Sequence, residues 1–150
     1  MEAIAAASAI VGLIFNCASA VKQCNDLRTK YRNASRTLQS VAMEGSTLRA
    51  ALLQLNHLML RDPAALSSRW DTESVLPQAF ETAIDSFSLV LAALLRELEK
   101  IVGNSPPAGL SVSRGSKTKL LWNESALQDL LAQLRAQQQS LQFLLVILRM

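Results

Sequence analysis

One histidine and two cysteines in 150 residues leave little from which to build a metal or nucleophilic centre. A zinc site draws on three or four N and S ligands at short, recurrent spacings. His57, Cys17 and Cys24 offer no such spacing, and His57 lies in an amphipathic helical pattern. Neither GxxxxGK[ST] nor GxGxxG occurs, so the chain lacks a glycine-rich phosphate cradle; Ser113–Lys117 is loop composition. No metal, no cofactor and no catalytic residue is expected, and the chain reads as a non-enzyme. Cys17 and Cys24 are seven residues apart. On one helix that is about 10 Å, beyond the reach of a disulfide. They read as small apolar side chains in a reducing compartment. Aromatic residues make up only 5% of the chain and runs of Val, Ile, Thr or Tyr are missing, which argues against strands. No basic run is interleaved with aromatics, which argues against nucleic acid as a partner.

Charge, too, is missing where the chain begins. From Ala3 to Val21 no residue is charged: AIAAASAIVGLIFNCASAV. Nineteen such positions just approach the ~20 of a membrane-spanning helix. Seven of the first twenty residues are Ala, however, and Ser8, Gly12, Asn16 and Ser19 lie among them. That is weak for a constitutive span and better suited to burial in a bundle or to conditional insertion. A cleaved secretory signal fits poorly, because Glu2 stands where a basic n-region belongs and Cys24 would be left unpaired in an oxidising compartment.

What the chain does have is leucine, alanine and unevenly distributed charge. Half of its residues are hydrophobic, which excludes disorder, and Leu and Ala enter helices at little cost. The length suits one domain with its own core. Residues 1–61 hold seven Lys/Arg against three Asp/Glu, residues 62–102 three against seven, and residues 103–150 five against two. Alternation of sign suits packing between helices or between protomers, and a basic end suits anionic lipid.

Apolar periodicity places the first helix over Glu2–Tyr31, with Gly12 or Asn16 as a point of bending and Leu13, Cys17, Cys24, Leu27 and Tyr31 on its inner face. Asn33–Ser35 is a polar junction, and Ser35 is placed to cap a second helix over Arg36–Leu60. Leu38, Val41, Leu48, Leu52, Leu55 and Met59 form its stripe. Gly45 costs about 1 kcal/mol there and permits close approach of a neighbour. Asp62-Pro63 ends this helix. Residues 64–70 are expected as a connector, with Asp71 as N-cap of a third helix over Thr72–Val102. Its face is Val75, Ala79, Phe80, Ile84, Phe87, Leu91, Leu94, Leu95, Leu98 and Val102. GNSPPAGLSVSRGS, residues 103–116, is a long irregular connection. A last helix follows Asn123, with Trp122 and Leu127 spaced as a hydrophobic staple and Gln137–Gln139 as a solvated interruption. Hydrophobicity rises to Met150, so the chain reads as an N-terminal fragment of a longer protein. The fold class is all-α: one bundle of four to five helices over residues 1–150.

The opening MEAIAAASAIVGLIFNCASAVKQCNDLRTKYRNAS resembles that of the HeLo-like N-terminal domains of fungal STAND (NLR-like) immune receptors and related cell-death proteins. Both have an uncharged Ala/Ile/Gly/Leu helix, then scattered bases, then a short polar junction. The end, KTKLLWNESALQDLLAQLRAQQQSLQFLLVIL, is similar to that family's closing element, a basic turn and Trp before a long Leu-repeat helix. The resemblance implies a cytoplasmic bundle that is recruited to membrane on activation and acts as the effector module ahead of a downstream domain of the same chain. It implies self-association into a homo-oligomer and insertion of the first helix. Glu2 departs from the pattern by placing an acid beside the inserting end. On this reading Ile4, Ile10, Leu13, Ile14 and Phe15 face lipid. Lys22, Arg28, Lys30, Arg32 and Arg36 meet the headgroups of anionic lipid. The alternative is a non-toxic adaptor or autoinhibitory domain that works by helix–helix association alone.

Overall fold

The computed structural model describes residues 2–30, 36–103 and 124–149. These residues form five helices and, among them, no strand: α1 (Ala3–Lys30), α2 (Arg36–Arg61), α3 (Pro63–Thr72), α4 (Val75–Gly103) and α5 (Glu124–Arg149). The protein is an all-α helical bundle. Tyr31, the Asn33–Ser35 junction, the connection after Gly103 and the expected Trp122 staple lie outside the described residues.

Each long helix buries a narrow stripe. On α1 it is Ala6, Ile10, Leu13, Cys17, Ala20, Cys24 and Leu27, in alternating steps of four and three. On α2 it is Leu38, Val41, Gly45, Leu48, Leu52, Leu55 and Met59, in the same steps. Such spacing keeps one seam facing inward on nearly parallel or antiparallel helices. α1 runs unbroken through Gly12 and Asn16. It packs on α2 and α4, while α5 packs on α2 and α4 from the other side, so the four long helices enclose one core.

Cross-helix contacts fix their directions. A Cβ on Gly45 of α2 would lie 2.9 Å from Val21 Cγ2 of α1, and Arg49 acts on Cys17, so residues rise on one helix as they fall on the other. Thr37 and Glu44 of α2 meet Glu124 and Arg135 of α5 in the same order, so α2 and α5 are parallel. The α4–α5 groove pairs the start of α4 with the end of α5. It follows that α1 and α4 are parallel, with their N-termini at the same end. α3 closes that end: Trp70 packs on Phe80 with the rings tilted by 58° and their centroids 5.1 Å apart, and Arg69 Nη2 donates to the Ile147 carbonyl at 3.2 Å.

The connector expected over residues 64–70 is instead helix α3, and the third long helix starts at Val75 rather than Thr72. Asp62-Pro63 is both a stop and a start. Pro63 disfavours helix at Asp62, whose φ/ψ of −143°/85° ends α2, yet the first helical position suits proline. The Asp62 carboxylate then accepts from Ala65 N–H at 3.1 Å as the N-cap. Asp71 lies within α3 and caps nothing. Pro77 sits in the first turn of α4, where its missing N–H leaves no bond unmade. Gln137, expected in a solvated run, is only 9% exposed, and its Nε2 donates to Ser86 Oγ on α4 at 2.7 Å. It occupies a core step between Leu134 and Leu141, which a count of polar residues conceals. Val75 and Val102, expected on the inner face of α4, are exposed.

Candidate functional site

The uncharged first helix divides its apolar residues between two faces. Ile10 and Leu13 are in the core, and Ile14 is partly buried against it. Ile4 and Phe15 stand out into solvent, 79% and 70% exposed. Of the five residues expected to face lipid, two already look outward and two are covered by α2 and α4. Val11, 40% exposed, belongs with the outward pair, though its apolar side chain alone does not distinguish it from Ile10.

Ile4, Val11, Phe15 and Lys22 are separated by steps of seven, four and seven. At 3.6 residues per turn they fall within an arc of about 40°, on a nearly straight line along α1. Ile4 to Phe15 spans about 16 Å, and Lys22 lies about 10 Å farther on. The outer surface of α1 therefore carries a line of apolar side chains, flanked by exposed Ser8, Gly12 and Ser19, that leads to a cation.

Lys22 is exposed on the rim of a cleft of about 360 Å³ between α1 and α2. Asn25, Asp26, Ser46 and Arg49 line it as well. Arg49 was no part of the expected cationic set, because only the antiparallel packing of α2 brings it beside Lys22. Arg28 is exposed, and its Nη1 donates to Asn25 Oδ1 at 3.4 Å. Arg36 is exposed at the start of α2. Lys30 is the last residue of α1, and Arg32 lies outside the described residues. Lys22, Arg28 and Arg36 thus gather toward the end of the bundle opposite α3.

Cys17 and Cys24 are free and fully buried, and burial pushes each thiol from an ordinary 9.0 up to about 12, against a smaller opposing effect of Arg49 on Cys17 and of Arg28 on Cys24. Such thiols are poor nucleophiles and poor metal ligands. Among the described residues no three His, Cys, Asp or Glu side chains come together to hold a metal ion. Two helices there, α1 over Ala3–Thr29 and α4 over Val75–Val102, have the length and composition to cross a membrane. The core helix of a globular bundle meets the same criteria, so the outward stripe on α1 is the more telling feature. Family models, curated proteins and solved structures offer no match to the chain.

Proposed function

We propose that this bundle is a membrane-targeting effector module, which docks on anionic lipid through the outer stripe of α1 and self-associates there, releasing α1 into the bilayer. The reading extends the resemblance to HeLo-like cell-death domains. The observation that carries it is the line Ile4–Val11–Phe15 leading into Lys22 on an otherwise uncharged helix surface.

Docking asks nothing of the core. Ile4, Val11 and Phe15 already meet water, and moving a large apolar side chain from water to hydrocarbon gains about 1.5–3 kcal/mol. Each nearby base adds about 1 kcal/mol on an anionic surface at low salt. Insertion asks more. Pulling α1 out strips Ala6, Ile10, Leu13, Cys17, Ala20, Cys24 and Leu27 of their partners. Three large and four small side chains amount to about 10 kcal/mol, comparable with the whole stability of a domain. α1 therefore does not leave the bundle for water; only hydrocarbon offers an equivalent environment. Once there, a helix keeps every backbone hydrogen bond internal. The 19 residues Ala3–Val21 reach about 28 Å, close to the ~30 Å of the hydrocarbon core, which leaves Lys22 at the headgroups.

The test is co-sedimentation of the chain with vesicles of phosphatidylserine and phosphatidylcholine, alongside dye leakage. Ile4→Glu and Phe15→Glu touch exposed positions and leave the bundle folded. Each is expected to weaken vesicle binding by at least about tenfold. Unchanged binding by both folded variants overturns the reading, as does equal binding to purely zwitterionic vesicles at low salt.

A further inference from the structure

The outer line of α1 has two flanks, and they differ. The cleft that holds Lys22 sets Ala18 and Asn25 of α1 beside Ser46 and Arg49 of α2. Steps of three and four keep residues on one side of a helix. The row Lys22–Ala18–Phe15–Val11–Ala7–Ile4 therefore continues that side of α1 away from the cleft, and Ser46–Arg49–Leu53–His57–Leu60 continues that side of α2. The helices are antiparallel, with Gly45 opposite Val21 and Arg49 near Cys17, so the two rows run side by side toward the α3 end. Leu53 and Leu60 are 43% and 59% exposed. With Ile4, Val11 and Phe15 they form an apolar patch about 16 Å long and one interhelical spacing of about 8–10 Å across. On its other flank the α1 line is bordered by Ser8, Gly12, Asn16 and Ser19, all exposed. α5 takes the side of α4 that carries Ala83, Ser86 and Glu97, which leaves Glu81, Asp85, Ser88 and Glu99 exposed on the side toward α1. The charge follows the same division. On α1 and α2, Lys22, Arg28, Lys30, Arg36, Arg49 and Arg61 stand against Asp26 and Glu44, and Glu44 turns to Arg135 of α5. α4 holds four acids against two bases.

We infer that the surface meeting lipid is the whole α1–α2 side of the bundle: Leu53 and Leu60 of α2 enter an anionic bilayer beside Ile4, Val11 and Phe15, and Arg49 meets the headgroups beside Lys22. This deepens the membrane reading and rests on it. Anionic lipid fits both components of the surface, since hydrocarbon takes the apolar side chains and phosphate the bases. A second copy docked through the same side would set bases against bases. The acidic flank of α4 on another copy would answer the charge, yet it meets the apolar patch with carboxylates. Two helices of about 10 Å diameter over 16 Å offer about 320 Å², well short of the ~800 Å² per partner of a stable protein contact. The axes of α1 and α2 then lie along the membrane plane, with α4 and α5 on the water side. α4, the second helix with the length and composition to span a bilayer, is thereby held away from it. When α1 leaves the bundle, α2 keeps its own apolar and cationic contacts with lipid and holds the remaining helices there.

Leu53→Gln with Leu60→Gln removes two exposed apolar side chains without adding charge. In co-sedimentation with vesicles of phosphatidylserine and phosphatidylcholine, this double variant is expected to bind at least about tenfold more weakly than wild type. Arg49→Gln is expected to bind about fivefold more weakly at low salt. Leu89→Gln, at a position 71% exposed on the outer surface of α4, is expected to stay within about twofold of wild type. A second measurement leaves the apolar residues alone. Ser46→Cys on the α2 flank and Ser88→Cys on the α4 flank, both at exposed positions, are each labelled with an NBD fluorophore, Cys17 and Cys24 being buried. On vesicles the emission of the label at position 46 is expected to shift to shorter wavelength, and that at position 88 to stay as in water. The labels decide should the double variant fail to fold. Wild-type binding by the folded double variant or by Arg49→Gln overturns the inference, as does a label at position 88 that shifts as far as the one at 46. Where Ile4→Glu and Phe15→Glu lose binding and the α2 variants do not, the α1 line docks alone and the membrane reading stands without this inference. Where none of them loses binding, both fall.

Discussion

Gly45 and Gly12 sit in the interiors of two neighbouring helices, and the same substitution is expected to move stability in opposite directions at the two. In a helix interior Ala is favoured over Gly by about 1 kcal/mol. A Cβ on Gly12 meets nothing within 4 Å, so Gly12→Ala is expected to gain most of that. A Cβ on Gly45 lands 2.9 Å from Val21 Cγ2, where carbon atoms prefer about 3.5–4.0 Å. Val21 cannot swing aside, because a β-branched residue in a helix holds one strongly preferred rotamer. α1 and α2 must then part, and overpacking of this kind costs about 1–3 kcal/mol. Gly45→Ala should therefore fall between neutral and about 2 kcal/mol destabilising, and the two variants should differ by about 1–3 kcal/mol. For a chain of this length that separates their Tm values by about 2–10 °C. Far-UV circular dichroism during heating and urea titration measures both. Adding Val21→Ala to Gly45→Ala removes the obstructing methyl and should recover part of the loss, giving a coupling of about 0.5 kcal/mol or more. Equal stabilisation by the two glycine variants would refute the close approach of α1 and α2 at this point.

Leu13→Glu should unfold the bundle, because it places a carboxylate in the core at a cost of about 4 kcal/mol or more, whereas Phe15→Glu should leave Tm within about 2 °C of wild type; the same melts distinguish the two faces of α1. Gln137→Ala should cost about 0.5–1.5 kcal/mol, the net worth of its hydrogen bond to the half-buried Ser86, while Gln137→Leu with Ser86→Ala should come within about 1 kcal/mol of wild type, as urea unfolding will show. Cys17 and Cys24 should resist Ellman's reagent in the folded chain at pH 8 and react at once in urea. Both thiols are raised in the fold from 9.0 to about 12, so above pH 9 the unfolded chain releases protons that the native one retains. Stability is thus fully present below pH 9 and declines as pH rises from there toward 12, a slope that Cys17→Ala with Cys24→Ala should flatten.

Much of the architecture was legible in the spacing of Leu, Ala and Cys. The inner face Leu13–Cys17–Cys24–Leu27, the second-helix stripe and Phe80–Leu98 on the fourth all emerge from helical periodicity, because a helix seam repeats every three or four residues whatever covers it. α3 was less legible, since Asp62-Pro63 ends one helix and caps the next with the same two residues, and a stop signal masks a start. Gln137 was not legible as a core residue because its polarity suggests solvent, while its register and its hydrogen bond to Ser86 put it inside.

The sequence by itself determined that the chain is helical, that its first helix carries no charge over Ala3–Val21, and that bases follow immediately. Those properties are local; composition and periodicity along one strand of chain settle them. Only the tertiary structure decided which side of that helix is covered. Ile10 and Phe15 are both large and apolar, and nothing in their own chemistry separates them. Ile10 is buried because α2 and α4 close over the seam it shares with Ala6, Leu13 and Cys17, while Phe15 lies on the arc that no other helix among the described residues covers.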